Sequence, residues 1–455
     1  MDEPHSEGFE YAMNYPLVRA IFHRRSRRIC KGIQQVNAGE HSYQSREKPQ
    51  PLTPLEEAML IAVVGVTGMN LPDRPFQDNG QPPQPILGTP NLSFTGRAAG
   101  STDNSQPTSF FLINDSGTYF LRRLKPEEVK PEAPPTPEEM IRRAELAKVR
   151  VRDKRLDFPR NFPYYLDSNR LLSNIEGSTI LLPIVDMTRQ YINALMYVLT
   201  EPAGYRPTLV DDRNFYLPAG VRKWIRSGFL NKDLKISLGA LGTMRTQIEA
   251  ELLLQNLMLT LQVMGLGGWI HAAIGPPYLL GHPYFAKETK GLAFRHVIPR
   301  SFFPLELLRW GSVLPILRAN PVGLDGVIET MCPPYYKDMS AAVDAVIAEK
   351  RILYGDRDFF GKAFKTRGDL FCGEVPFYEP EVIECTKDIC NYIYNTHGRF
   401  PAHVDAIYVP GIWIQAHHLD LAYYDQLFRD GYTETQARHQ ERWHGNGQVP
   451  AAGAT

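Results

Sequence analysis

Residues 100–121 read GSTDNSQPTSFFLINDSGTYFL. The second half is a hairpin by composition. Ser109-Phe110-Phe111-Leu112-Ile113 and Thr118-Tyr119-Phe120-Leu121 favour strands, and the Asn-Asp-Ser-Gly between them is turn chemistry. The first half is polar. Ser101, Thr102, Asn104 and Gln106 crowd donors and acceptors just before a strand able to anchor them. Such a strip is either a surface loop or a hydrogen-bonding edge for a heterocycle.

The rest of the composition narrows the class. At 455 residues the chain is long enough for one large domain or for two to three ordinary ones. Lys plus Arg equals Asp plus Glu, 50 each, so no whole-chain charge draws it to nucleic acid or an anionic membrane. Five cysteines without a CxxC pair argue against a zinc ribbon or a thioredoxin-type site, and point to a reducing cytoplasm. The N-terminus begins acidic and lacks the apolar run of a secretory signal. The most apolar segments, 178–199 and 248–268, carry charged or amide residues and read as buried core, not membrane spans.

Periodicity and capping signals predict the elements. Leu17, Val18, Ile21, Phe22 and Ile29 have near-helical spacing, with the Arg cluster 24–28 in their middle. Thr53, Pro54 and Glu56 spell a capping box that opens a helix ending near Gly65 or Gly68. Residues 70–108 form a long Pro- and Gly-rich loop, of the kind that is often functional. The mixed charges of 122–160 read as a solvated arm in which Thr136 caps a helix. Residues 178–185 are a buried strand or the entry to a helix reaching about 199. The run to Met264 is apolar almost all round from Leu252 and should be central. Asp338 or Ser340 caps a further helix. The expected organisation is a flexible tail (1–14), a core (15–320), a C-terminal extension packed on the core or a partner (321–445), and a disordered polar tail (446–455).

Several chemistries lack their signatures. GLGGWI is not GxGxxG, GDRDFFGKA is not a P-loop, and neither HExxH nor GxSxG occurs. His397, His403, Asp405, His417, His418 and Asp420 are metal-ligand types, but their spacing matches no metal motif, so no metal is assigned. Adjacent His417 and His418 cannot both face one way on a strand or a helix.

Three segments remain. Arg24-Arg25-Ser26-Arg27-Arg28 could present two guanidinium forks and a hydroxyl to a phosphate, or be a solvated helix face. Ser101-Thr102-Asp103-Asn104-Ser105-Gln106-Pro107 is the polar strip. Gln255-Asn256-Leu257 leads to Gly265-Leu266-Gly267-Gly268, either a plain helix stop or a close backbone approach to a flat ligand. In this order, over Tyr15 to Pro277, they resemble the flavin-dependent nitroreductase family, as a long and divergent member with large unmatched insertions. Arg27 and the missing Pro before Ser101 depart from the family pattern.

The resemblance implies an α+β fold with a mixed, mainly antiparallel sheet flanked by helices. It implies FMN bound at the interface of a homodimer, with NADH or NADPH as electron donor. The expected reaction is ping-pong hydride transfer to a small organic acceptor of nitro, quinone or azoline type. By that resemblance Arg24, Ser26 and Arg28 hold the FMN phosphate, Ser101, Thr102, Asn104 and Gln106 line the flavin, and Gly267 and Gly268 lie by the ring. Lys287, Lys290, Arg295 and Arg300 are candidates to complete the phosphate site. No protein nucleophile is required, so no catalytic residue is assigned. The alternative is a non-redox or flavin-binding-only member of the same fold, acting as a binding or assembly protein.

Overall fold

A computed structural model describes residues 6–36, 39–70, 91–129, 135–165, 167–201, 204–211, 217–238, 243–272, 274, 276–283, 285–298, 319–366, 368, 377–402 and 412–445. The hairpin is at its centre. Strand β1 (Thr108–Asn114) turns through Asp115 and Ser116 into β2 (Gly117–Leu121), with Asn114 opposite Gly117 and Phe110 opposite Leu121. The other strands of this sheet are β3 (Lys148–Arg152), β4 (Thr179–Val185), β5 (Gly267–His271) and β6 (Trp413–His417). Their order is β5-β6-β4-β1-β2-β3, and every neighbouring pair is antiparallel. A parallel pairing of Pro207–Asp211 with Asn231–Ser237 in a smaller sheet makes the whole mixed. The fold is α+β, with mainly antiparallel sheets flanked by helices, as expected.

Strand alternation distributes side chains to two cores. Phe110, Leu112, Leu121, Leu181, Ile414 and Ala416 pack beneath helices α1 (Pro54–Ala62), α2 (Pro137–Ala147) and α3 (Thr243–Met264). Phe111, Ile113, Phe120, Ile180 and Trp413 pack on the other face against Leu156, Phe158, Tyr165 and Phe294. Covering both faces explains why β1 and β4 read as near-continuous apolar runs. A further core gathers helices Thr188–Leu199, Met339–Gly355 and Pro380–His397.

The predicted caps form. Thr53 and Glu56 exchange both bonds of the box, at 3.2 and 2.7 Å. Thr136 Oγ1 accepts from Glu139 N, and Asp338 caps Met339–Gly355. Several expectations change. The first Arg-bearing helix is Leu17–His23 and stops before the cluster, so Arg24 onward is extended. The charged stretch is not a free arm. Met140, Ala144 and Ala147 give α2 a buried stripe, and Lys-Val-Arg-Val-Arg forms a charge-studded edge strand, a pattern that discourages further pairing. Residues 178–185 resolve as strand β4, with the helix starting only at Thr188. Helix α1 ends at Ala62, and Val66–Met69 then pairs with Thr95–Arg97. Strand β6, from late in the chain, lies inside the sheet between β5 and β4. Among the described residues no helix is long and apolar enough to cross a membrane.

Candidate functional site

Two of the three singled-out segments meet. Helix α3 ends in a Schellman stop, with Leu266 N donating to Leu261 O at 3.0 Å and Gly265 N to Gln262 O at 3.3 Å. Gly265 takes the left-handed conformation (φ +81°). Strand β5 starts two residues later. Arg27 N donates to Gly268 O at 3.2 Å, laying the Arg segment along β5. The Arg28 guanidinium sits 5.3 Å from the Trp269 ring centroid, and Arg27 lies over Tyr424 at 5.5 Å. Tyr424 Oη accepts from the Arg28 and Ile29 amides, which fixes the backbone of the segment. Arg24 Nη1 donates to Ser26 Oγ at 3.2 Å. Ser26 and Arg28 are exposed and Arg24 is half-buried; Arg24 and Ser26 touch, while the Arg28 guanidinium is held over Trp269.

Gly267 and Gly268 do other work. A Cβ on Gly268 would strike Leu261 and the Gln415 carbonyl, and one on Gly267 would strike Leu419 and His417. The glycines let β5 close onto α3 and β6, and the chain's own side chains fill that space.

The polar strip folds on itself. Thr102–Asn104 is a single 3-10 turn, and Asp103, Asn104 and Gln106 are left-handed (φ +53°, +46° and +45°). This conformation is costly for non-glycine residues and must be held. Gln106 N donates to Ser101 Oγ at 2.8 Å. Asn104 Nδ2 donates to the carbonyls of Ser93 (2.5 Å) and Thr95 (3.1 Å), and Gln106 Nε2 to Thr95 O. The amides of Asn104 and Gln106 therefore pin the loop to the strand Thr95–Arg97. Ser101 and Thr102 stay half-exposed, while Ser105 Oγ, Gln106 Oε1 and Thr108 Oγ1 are buried without a partner.

Beside Thr108 opens a cavity of about 260 Å³ between α1, α2 and the hairpin. Its walls are apolar (Ala58, Ile61, Phe110, Leu121) and carry Arg97, Arg122, Arg123 and Arg143. Arg97 is paired with buried Glu249, Arg122 with Glu128 at 2.8 Å, and Arg143 with Glu139 at 2.8 Å. Arg123 donates to the Gln106 carbonyl. The cavity is smaller than usual ligand pockets of roughly 300–1,000 Å³, so it suits a small molecule rather than a whole dinucleotide or flavin.

The remaining candidates scatter. Arg295 lies over Tyr335 and 3.8 Å from Asp325, and Arg300 is outside the described residues. Lys287 and Lys290 lie in the turns that precede it. His397 pairs with buried Asp211 at 2.8 Å, while His403 and Asp405 are outside the described residues. Two clusters escape sequence reading. Lys350 is buried against Asn193 Oδ1 (2.5 Å) and Tyr378 Oη (2.7 Å). Glu56, His418, His439 and His444 converge so that one ligand atom of each lies within 4.8 Å of the others. Glu56 was legible only as a cap, and the histidines follow no ligand spacing, so only the fold brings them together.

No protein-family model matches the chain, and no curated protein does either. Among solved structures, a protein from Ralstonia eutropha JMP134, provisionally described as a nitroreductase, is similar at 13% identity, covering 57% of this chain and 71% of that one. The TM-score is 0.24, and a likeness at that level carries no argument about fold or function.

Proposed function

We propose that the protein is an FMN-dependent oxidoreductase of the nitroreductase type, passing hydride from NADH or NADPH to a small organic acceptor. The observation that carries this reading is the bond from Arg27 N to Gly268 O, which joins two segments identified separately and far apart in sequence. Arg24, Ser26 and Arg28 carry what a phosphate takes, two cations and a hydroxyl, on an extended backbone held by Tyr424. Bound FMN would supply the redox chemistry, and this chain's residues would bind and orient it.

A second copy of the chain is part of the proposal. Leu17, Val18, Ile21 and Phe22, the last 75% exposed, line the helix that leads into the Arg segment. An apolar face of this kind marks an interaction site. A homodimer would cover it.

The test is the absorbance spectrum of the purified protein, with its mass by light scattering. A flavin spectrum, released FMN on denaturation and a dimeric mass are expected. A colourless monomer that does not take up added FMN would sink the reading.

The second reading is a flavin-binding or assembly protein without turnover. Its support is that the amides of Asn104 and Gln106 are engaged with the chain's own carbonyls, leaving fewer groups to address a flavin edge. Bound FMN that neither nicotinamide reduces would favour it.

A further inference from the structure

The Glu56 cluster links parts of the chain that are remote in sequence. Glu56 stands in the first turn of α1, His418 directly follows β6, and His439 and His444 begin and end the short helix His439–His444. Glu56 Oε1 lies 3.1 Å from His439 Nε2 and 3.2 Å from His444 Nε2. His418 Nδ1 lies 3.0 Å from His439 Nε2, and His418 Nε2 lies 3.5 Å from Glu56 Oε2. Glu56, His418 and His439 are buried, and His444 is mostly so.

Proton placement shows what these distances mean. His439 Nδ1 is 2.8 Å from the Met264 carbonyl, which can only accept, so Nδ1 carries the hydrogen and Nε2 presents a lone pair. His418 Nε2 faces the Pro51 carbonyl at 3.3 Å, so its Nδ1 is left as the second lone pair, with the Gln440 amide 3.3 Å away. Two lone pairs then face each other at 3.0 Å, and that of His439 also lies 3.1 Å from Oε1 of a carboxylate whose Oε2 accepts from Thr53 N. With neither a proton on His439 Nε2 nor a metal ion between them this is repulsive. With the metal ion it is ordinary: nitrogen and oxygen ligands bound at about 2.0–2.1 Å to one tetrahedral ion lie about 3.3 Å apart. The two carbonyls act as the outer partners that orient metal-binding histidines. Met264 is moreover the last residue of α3, where the helix dipole favours positive charge.

We propose that Glu56, His418, His439 and His444 ligate one divalent transition-metal ion, with zinc the best chemical match, and that it clamps the start of α1 to the C-terminal segment. Three imidazoles and a carboxylate suit zinc better than calcium or magnesium, which prefer all-oxygen shells. Four protein ligands in a closed, buried set leave no open position, so the ion is structural and not catalytic. The proposal is independent of the flavin reading.

The test uses the untagged full-length protein. Its metal content is measured by mass spectrometry, and chelator-stripped protein is titrated with Co(II), which reports tetrahedral nitrogen and oxygen ligation by its visible absorption. One equivalent of metal per chain is expected, with stoichiometric Co(II) bands that Zn(II) displaces. The Co(II) protein should show three paramagnetically shifted, exchangeable imidazole N–H resonances, a count that needs no variant. His444→Gln, at the most exposed ligand, should lose the bands. If the wild-type chain takes up neither Zn(II) nor Co(II) stoichiometrically, the cluster is a buried imidazolium–carboxylate group and the proposal fails. Uptake with fewer shifted resonances, or a spectrum unchanged in a folded His444→Gln protein, also overturns it.

Discussion

The amide of Arg27 donates to the carbonyl of Gly268 at 3.2 Å, so the Arg segment runs as a short extra rung beside strand β5. That contact fixes the extended backbone that carries Arg24, Ser26 and Arg28 after the helix has ended at His23. Removing Arg24 and Arg28 together tests what they hold. Charge-assisted hydrogen bonds contribute about 1.5–3 kcal/mol each, so the double alanine variant should lower FMN affinity at least about a hundredfold. Stability should shift little, because surface changes usually stay within about 0.5 kcal/mol. The flavin-to-protein ratio and the thermal midpoint check both, and unchanged flavin content would reject the phosphate assignment.

Leu17 and Phe22 are exposed by 65% and 75% in the single chain. Replacing both with Glu should leave the fold intact and place charges in the proposed subunit contact. Light scattering should then show a monomer where the wild-type chain is a dimer. A variant that stays dimeric would move the interface elsewhere.

Gly265 is left-handed, and a Cβ there would collide with the Thr435 carbonyl. Gly265→Ala should cost about 1–2 kcal/mol for the backbone alone, with more from the collision. Urea unfolding measures it. Gly39, equally left-handed but with nothing near its Cβ, is the control, and Gly39→Ala should show only the backbone part.

Burial pushes the Lys350 ammonium down to about 7, and the nearby Asp103 charge only partly opposes this. The unfolded chain keeps its ordinary value near 10.4. Between these values the unfolded state binds a proton that the folded state does not, so stability should rise with pH, by about 1.4 kcal/mol per unit from this group. Below pH 7 both states are protonated and the contribution is flat. Urea unfolding from pH 6 to 9 should show the rise in the wild-type chain and its loss in Lys350→Met. Parallel profiles would place the folded-state proton affinity near its ordinary value.

Local order was already written in the sequence. Runs of aromatic and aliphatic residues on both sides of Asn-Asp-Ser-Gly specify β1 and β2 because strand propensity and turn chemistry are short-range effects. The same holds for the box at Thr53 and Glu56, and for the glycine stop after Met264. Residues 122–160 misled because their charges sit on outward faces, while the buried stripe of Met140, Ala144 and Ala147 is thin and easily overlooked. What lies against what was decided by the tertiary structure. Only folding brings Arg27 to Gly268, threads Trp413–His417 between β5 and β4, and turns the amides of Asn104 and Gln106 onto the neighbouring strand. Only folding places His418, His439 and His444 around Glu56. Such contacts depend on burial summed over the whole chain, and no spacing along the sequence encodes them.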